Sequence, residues 1–430
     1  MKFKKVLGFW DIFWLGVGGM VGVAILTFPS VTYQQAGPAG ILAWVFAGVF
    51  SLLMALVYSE MVTAFPKSGA LVVFPYEAFK KGKLARYLAF LEGIGYYIGT
   101  VFGIVISAII LGNYISPEFA TGTPGSFLIA EASILIVGII NLYGARITSK
   151  ANTLMSIFFM AFFAIVIIFG LLHGSASNLA PFFSGSGGVG IIYGIPIAIL
   201  AFGSWTALIT IPEETKKVGT IPKAVIWSII TVTVLYVLIV LAVYMNLNAH
   251  SINSTYYNDP VLGLVASFNN GLLLTLFEVA AVLSVMAVML VLILSNARIA
   301  MALSQINFLP KSMSKMSSRS IPVYATIASF AIPMLLSAFP NNYYQYVIIG
   351  AIVGTGLPRI IDLVSYFVIR KRSDYKPTFK LKYGVIISLL ALVGLAVSEL
   401  SLGTSDVFWS AVTLLALTGV FLAIEKWHKT

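Results

Sequence analysis

Along this chain apolar residues gather in long runs, separated by charges, by Pro and Gly clusters or by polar loops. A helix crossing the roughly 30 Å hydrocarbon layer of a bilayer needs about 20 such residues. Runs of that length lie over residues 9–34, 38–64, 84–114, 126–144, 150–173, 189–211, 222–246, 271–302, 321–339, 342–370, 381–401 and 406–425. The pattern predicts an all-α membrane protein with about 12 transmembrane helices. An even number leaves both termini on one side of the membrane.

Two of these runs are poor helices. Span one carries Gly16, Gly18, Gly19 and Gly22, then Pro29, and each glycine weakens an isolated helix by roughly 1 kcal/mol. Backbone left unpaired cannot face lipid, so the run either packs closely on a neighbour through Gly18 and Gly22 or unwinds beside a cavity. Span six has a matching weak point at Ala201-Phe202-Gly203-Ser204-Trp205-Thr206, followed by Pro212. Interruptions at corresponding places in two halves favour the unwound reading and point to a binding site. Each opens a block of five spans, and an odd block repeated in tandem must insert upside down. The expected organisation is a 5+5 inverted repeat with helices 1 and 6 broken, residues 1–183 and 184–372. Residues 373–430 then form two appended helices. The Gly/Ser run Ser184 to Gly188 reads as a flexible external loop. The span-one glycines nearly mimic a dinucleotide fingerprint, but no strand precedes them.

Composition narrows the class. Hydrophobic residues make up 59% and charged residues 10%, against roughly 45–50% and 25% in soluble domains, which excludes a water-soluble enzyme. The formal charge of +11 would suggest nucleic acid in a soluble protein. Here all 26 basic residues fall in alternate loops or toward that end of a span. By the positive-inside rule both termini are cytoplasmic in a multi-pass cell-membrane protein, and no nucleic-acid partner is needed. Asp11 interrupts the first run, so it reads as a transmembrane helix and not as a signal peptide. There are no cysteines, and His173, His250 and His428 are scattered. No HExxH, GxSxG or other catalytic motif occurs, so neither an enzyme nor a metal or cofactor is expected.

Unwinding supplies chemistry without charged side chains. Free amides at the start of a half-helix suit a carboxylate, and carbonyls freed at the end of one suit an ammonium group. Together they would hold a zwitterion, so an amino acid is the expected ligand, lined by Met20, Val21, Gly22, Val23 and Ala24 and by Ala201 through Thr206. Phe202 and Trp205 could close over a substrate side chain. Tyr97 could offer its hydroxyl to a carboxylate, or Tyr96 if span three is rotated. Core packing is an equal reading for each aromatic. Ionisable groups within spans are costly and are functional candidates. Glu278 either carries a proton, or faces an aqueous vestibule or hydrogen-bonds a neighbouring helix. Glu60 and Glu92 could form inner-gate ion pairs, with a solvated helix end as the simpler reading. Glu131 suits a helix start at the external interface, and Arg359 with Asp362 suits a structural pair on one helix face.

Four segments carry a family resemblance: Gly18 through Leu26; Pro66-Lys67-Ser68-Gly69-Ala70 with Glu60, Tyr76 and Gly82; Glu213 through Lys217 with Ile221-Pro222-Lys223-Ala224; and Arg298 through Leu303 with Leu309-Pro310 and Pro322. In this order they resemble the amino acid-polyamine-organocation (APC) superfamily of secondary transporters. The resemblance implies a leucine-transporter-type fold and alternating access with the site between spans one, three, six and eight. Departures narrow the expectation. The family's span-one serine and second glycine are matched by Val23 and Ala24, and its span-six acidic residue by Thr206. The span-five lysine of some proton-coupled members is matched by Phe159. Of the span-eight hydroxyls that help bind sodium in other relatives, only Ser284 is near. The expected activity is secondary transport of amino acids with neutral or hydrophobic side chains, coupled to protons or working by exchange. A polyamine or organic-cation transporter and a non-transporting nutrient sensor are the alternatives.

Overall fold

The computed structural model describes residues 3–115, 124–184, 186–339, 354, 356–400 and 404–427. Among them the chain forms 15 α-helices, and its only bridges are the isolated pairs Leu7 with Thr215 and Met316 with Pro322. In chain order the helices are α1 (Phe9–Met20), α2 (Val23–Ala36), α3 (Ile41–Ala64), α4 (Ala70–Ala78), α5 (Lys83–Ile115), α6 (Pro124–Asn141), α7 (Ala145–His173) and α8 (Gly187–Leu200). There follow α9 (Thr220–Asn246), α10 (Pro260–Ser267), α11 (Gly271–Gln305), α12 (Val323–Ser337), α13 (Leu357–Arg370), α14 (Gly384–Leu400) and α15 (Thr404–Trp427).

Six described stretches are long and apolar enough to cross a membrane: Val23–Ala64, Lys83–Gly112, Ala145–His173, Gly187–Thr210, Thr220–Asn246 and Gly271–Gln305. Their outer faces carry exposed large apolar side chains, among them Leu154, Ile168, Leu172 and Val234, a surface that water disfavours and lipid accepts. The helices follow the apolar runs within a few residues. For the run 342–370, residues 342–353 and 355 lie outside the described residues. Two helices were not visible as runs. Nine-residue α4 and eight-residue α10 are too short to span and sit between the predicted spans.

The bundle is built around α11, which packs against α5, α7 and α1, while α9 packs against α1, α3 and α7. Span one is broken: α1 stops at Met20, Val21 (φ −79°, ψ 105°) and Gly22 (φ −157°, ψ −143°) are non-helical, and α2 begins at Val23. The close-packing role of the glycines also holds. A Cβ on Gly18 would stand 2.5 Å from Asn152 Oδ1 on α7, and one on Gly22 would stand 2.6 Å from Val288 Cγ2 on α11. Gly16 through Gly22 therefore let α1 approach its neighbours and then release the helix.

Candidate functional site

The two interruptions meet. At the second, α8 ends at Leu200, and after Ala201 and Phe202 the chain tightens into a 3-10 segment, Gly203–Thr210. A Cβ on Gly19 of α1 would stand 3.4 Å from Ser204 Cβ, so helix end and 3-10 segment are in contact. The Tyr236 hydroxyl on α9 is 2.6 Å from the Met20 carbonyl and 3.2 Å from the Ala201 carbonyl. One hydroxyl is thus shared between the carbonyls released at both helix ends. On the amide side, neither Gly22 before α2 nor Phe202 before the 3-10 segment supplies a side-chain cap. Uncapped amides at the start of a helix are an anion-binding feature. Val23, Ala24, Gly203 and Ser204 are half-buried, whereas Met20, Val21, Gly22, Ala201, Phe202, Trp205 and Thr206 are buried.

The aromatic residues of the second break pack into the bundle. Phe202 stacks edge-on against Tyr236, and Trp205 does the same against Tyr58 of α3, with ring centroids 5.1 and 5.2 Å apart. Tyr96 and Tyr97 of α5 take different neighbours. The Tyr97 ring packs among Ala297, Ala300 and Ala325, because the rotation of α5 gives the inward position to Tyr96. The Tyr96 hydroxyl lies 2.9 Å from Ser295 Oγ on α11 and 3.4 Å from Thr206 Oγ1, and Thr210 Oγ1 is 3.3 Å from the same Ser295. Hydroxyls of α5, α11 and the 3-10 segment therefore form one network. Tyr236 and Tyr96 are what sequence reading missed or ranked second. A tyrosine inside an apolar span was the available signal, without the helix rotation that makes it meaningful.

The ionisable candidates separate. Glu278 is exposed on α11 in the vicinity of Tyr114, while Ser284, six residues on, is buried and donates to the Ala281 carbonyl. The solvated-helix-end expectation is overturned for both inner glutamates, which are 0% and 1% exposed. Glu60 accepts from the Tyr366 hydroxyl at 2.9 Å, Arg370 Nε at 3.1 Å and the Leu381 amide at 2.9 Å. It ties α3 to α13 and to the loop beyond. Glu92 on α5 instead adjoins Asp362 and Arg359 of α13. Arg359 also reaches the second break, since a Cβ on Gly203 would lie 3.8 Å from its Nη2. Glu131 is hydrogen-bonded by Ser337 of α12. In the connection between α9 and α11, burial pushes the Asp259 carboxyl up to about 7, opposed by hydrogen bonds from Tyr114 and the Leu262 amide.

A family model described as amino acid permease matches residues 7–423. The chain belongs to the amino acid permease family. Among relatives, the branched-chain amino acid permease BcaP of Bacillus subtilis is 24% identical over 99% of this chain and 94% of its own. Cationic amino acid transporter 5 of Arabidopsis thaliana is 28% identical over 57% of this chain and 44% of its own. The glutamate/serine transporter AimA of Bacillus subtilis is 28% identical over 65% and 56%. The chain spans about half the length of these last two relatives.

In this permease three of the four segments that carry the family resemblance meet at the end of the bundle that holds the N-terminal segment. Gly69 adopts φ +70°, where a side chain is strained, and a Cβ there would stand 2.6 Å from the Arg298 carbonyl. Its amide donates to the Thr210 carbonyl at 2.9 Å, and the Ser68 amide donates to Glu213 at 2.8 Å. Arg298, fully buried, holds Glu214 through Nε at 3.3 Å and Nη2 at 2.5 Å. Burial raises the Glu214 carboxyl above its ordinary range, and Arg298 pulls it back. The amides of Val6 and Leu7 donate to the Glu214 carbonyl at 2.8 and 3.0 Å, so the N-terminal segment is clipped to the same knot.

Proposed function

We propose that this permease is a secondary active transporter that carries amino acids across the cytoplasmic membrane by alternating access. Its binding site is formed by the paired breaks. The observation that carries this reading is the meeting of two released helix ends, with uncapped amides and the carbonyls of Met20 and Ala201 within one small region. Amides and the start of α2 suit a carboxylate, carbonyls suit an ammonium group, and both belong to every α-amino acid. The Tyr236 hydroxyl occupies the carbonyls and would yield to, or share them with, the ammonium group. Tyr96 and Thr206 offer further hydroxyls at the rim.

Val23 and Ala24 offer no polar side chain, which favours a neutral or hydrophobic substrate. No acidic residue lies within either break, Met20 to Ala24 or Ala201 to Thr206, to receive a cationic one. We read the fold as about 12 spans in a 5+5 inverted repeat, 1–183 and 184–372, followed by 373–430, with both termini cytoplasmic. The breaks after Met20 and after Leu200, at corresponding places in the two halves, support the repeat. The clustering of basic residues supports the orientation. Coupling is to protons, and exchange is the mode that persists without a gradient.

Uptake of labelled leucine into proteoliposomes, with and without an inward proton gradient and with sodium replaced by choline, tests the reading. Saturable uptake that needs the proton gradient and ignores sodium is expected. Ligand binding with neither uptake nor counterflow would instead identify a sensor.

A further inference from the structure

Among the described residues most buried carboxylates have an obvious partner, and one pair does not. Glu92 of α5 and Asp362 of α13 are 1% and 0% exposed, and each lies within interaction range of the other. Among the described residues, Glu92 Oε2 and both Asp362 oxygens lack a hydrogen bond of normal geometry. The groups facing them are the Tyr58 hydroxyl from α3, the Tyr96 hydroxyl from α5 and the Arg359 guanidinium from α13. Other acids on elements packed around these helices are engaged elsewhere. Glu77 of α4 is held by Lys67 and Lys81, Glu425 of α15 by Arg86, Glu60 of α3 by Arg370, and Arg298 of α11 is spent on Glu214.

Two ionised carboxylates against one guanidinium would leave a net negative charge in a site closed to bulk solvent. Two carboxyls at such a site retain one proton between them. With that proton the cluster is neutral, and one carboxyl can donate to the other. We infer that Glu92 and Asp362 share a single exchangeable proton and that this pair carries the coupling proton through the transport cycle. The inference rests on the transport reading above and assigns its coupling site.

The placement supplies both a link to the substrate and a way out. Arg359, the cation of the cluster, adjoins Gly203 in the second break, and Tyr58 stacks on Trp205 two residues further on. A shift of the 3-10 segment on binding or release moves both and changes the field at the carboxyls. Along α13 the positions 359, 362, 366 and 370 follow one helix face. They run from Arg359 at the break through Asp362 to Tyr366 and Arg370, which hold Glu60. In the inward-open state the proton leaves along this stripe, and the pair returns to a charged form that is reset from the other side. No bond other than O–H is made or broken.

The test compares wild type, Glu92→Gln and Asp362→Asn in proteoliposomes, reading proton-driven accumulation of leucine and, separately, leucine counterflow at equal pH on both sides. Loss of accumulation above equilibrium with counterflow retained is expected for both variants. Accumulation equal to wild type in both would overturn the inference and leave the transport reading standing. If wild type itself shows no flux of any amino acid, it is the transport reading that fails. Should either variant fail to fold, infrared difference spectra of the wild type on leucine binding decide the matter. A protonated-carboxyl stretch that shifts in heavy water supports the shared proton, and its absence near neutral pH contradicts it.

Discussion

Glu214 and Glu92 lie equally deep in this permease, yet they are built for opposite ends. Glu214 meets Arg298 through two charge-assisted hydrogen bonds, and its own backbone carbonyl receives the N-terminal segment. Glu60 is satisfied in the same way by Tyr366, Arg370 and the Leu381 amide. Glu92 and Asp362 face each other with unsatisfied oxygens, and the Arg359 guanidinium acts on Glu92. A satisfied buried charge fixes one arrangement, because every alternative strands it. An unsatisfied pair is tolerable only with a proton, and a proton can leave. The contrast separates joints from moving parts.

Breaking the joints should cost most. Arg298→Ala leaves Glu214 buried and unpaired, and a loss of about 3–5 kcal/mol is expected, read as a collapse of yield and of thermal midpoint in detergent. Glu60→Ala removes charge-assisted bonds that each contribute about 1.5–3 kcal/mol. It should lower the midpoint and loosen the segment after Arg370, detectable by hydrogen exchange at residues 371–383. Glu92→Gln sharpens the comparison, because removing a charge without a full set of partners should leave the midpoint unchanged or raised while proton-driven accumulation disappears. A midpoint drop as large as that of Arg298→Ala would erase the distinction.

A smaller effect is expected at the opposite end of the bundle. The Asp259 carboxyl is held at about 7 in the fold against an ordinary value of 3.8, so the fold favours its uncharged form. The stability it contributes is complete below the ordinary value and is lost as pH rises through about 7. The thermal midpoint should therefore decline as pH rises from mildly acidic values to about 7 and level off above it. Asp259→Asn, which keeps the cap on the Leu262 amide, should flatten that decline. Least of all should follow from Asp374→Asn, since its carboxylate pairs with Arg372 at the exposed surface. No change in midpoint or transport is expected.

How much of this was legible in the sequence depended on what each feature needs. Long apolar runs disclose their helices because the bilayer demands length and composition, and the glycines of span one disclosed a break that the backbone at Val21 and Gly22 bears out. Helices α4 and α10 were hidden because neither crosses the membrane, so neither needs the apolar length that served as the signal. Rotation was hidden more thoroughly. Tyr96 and Tyr97 are indistinguishable in sequence, and only the seating of α5 on α11 turns Tyr96 toward the 3-10 segment. Arg359 and Asp362 were visible as neighbours on one helix, but the approach of Glu92 from another helix is a tertiary fact that spacing cannot carry. Glu60 and Glu92 looked like solvated helix ends for the same reason. Their burial comes from α13 and from the loop after Arg370, remote in the chain.

The central claim is that the paired breaks hold the substrate. The chain has no cysteine, so single cysteines can be read without background. Val23→Cys and Ser204→Cys, placed at half-buried positions on either side of the site, can be labelled with a small water-soluble thiol reagent in the presence of increasing leucine. Protection at both positions, with the same concentration dependence as saturation of uptake, is the result predicted. Labelling indifferent to every transported amino acid at both positions, in variants whose uptake still saturates, would place the substrate elsewhere and contradict the account.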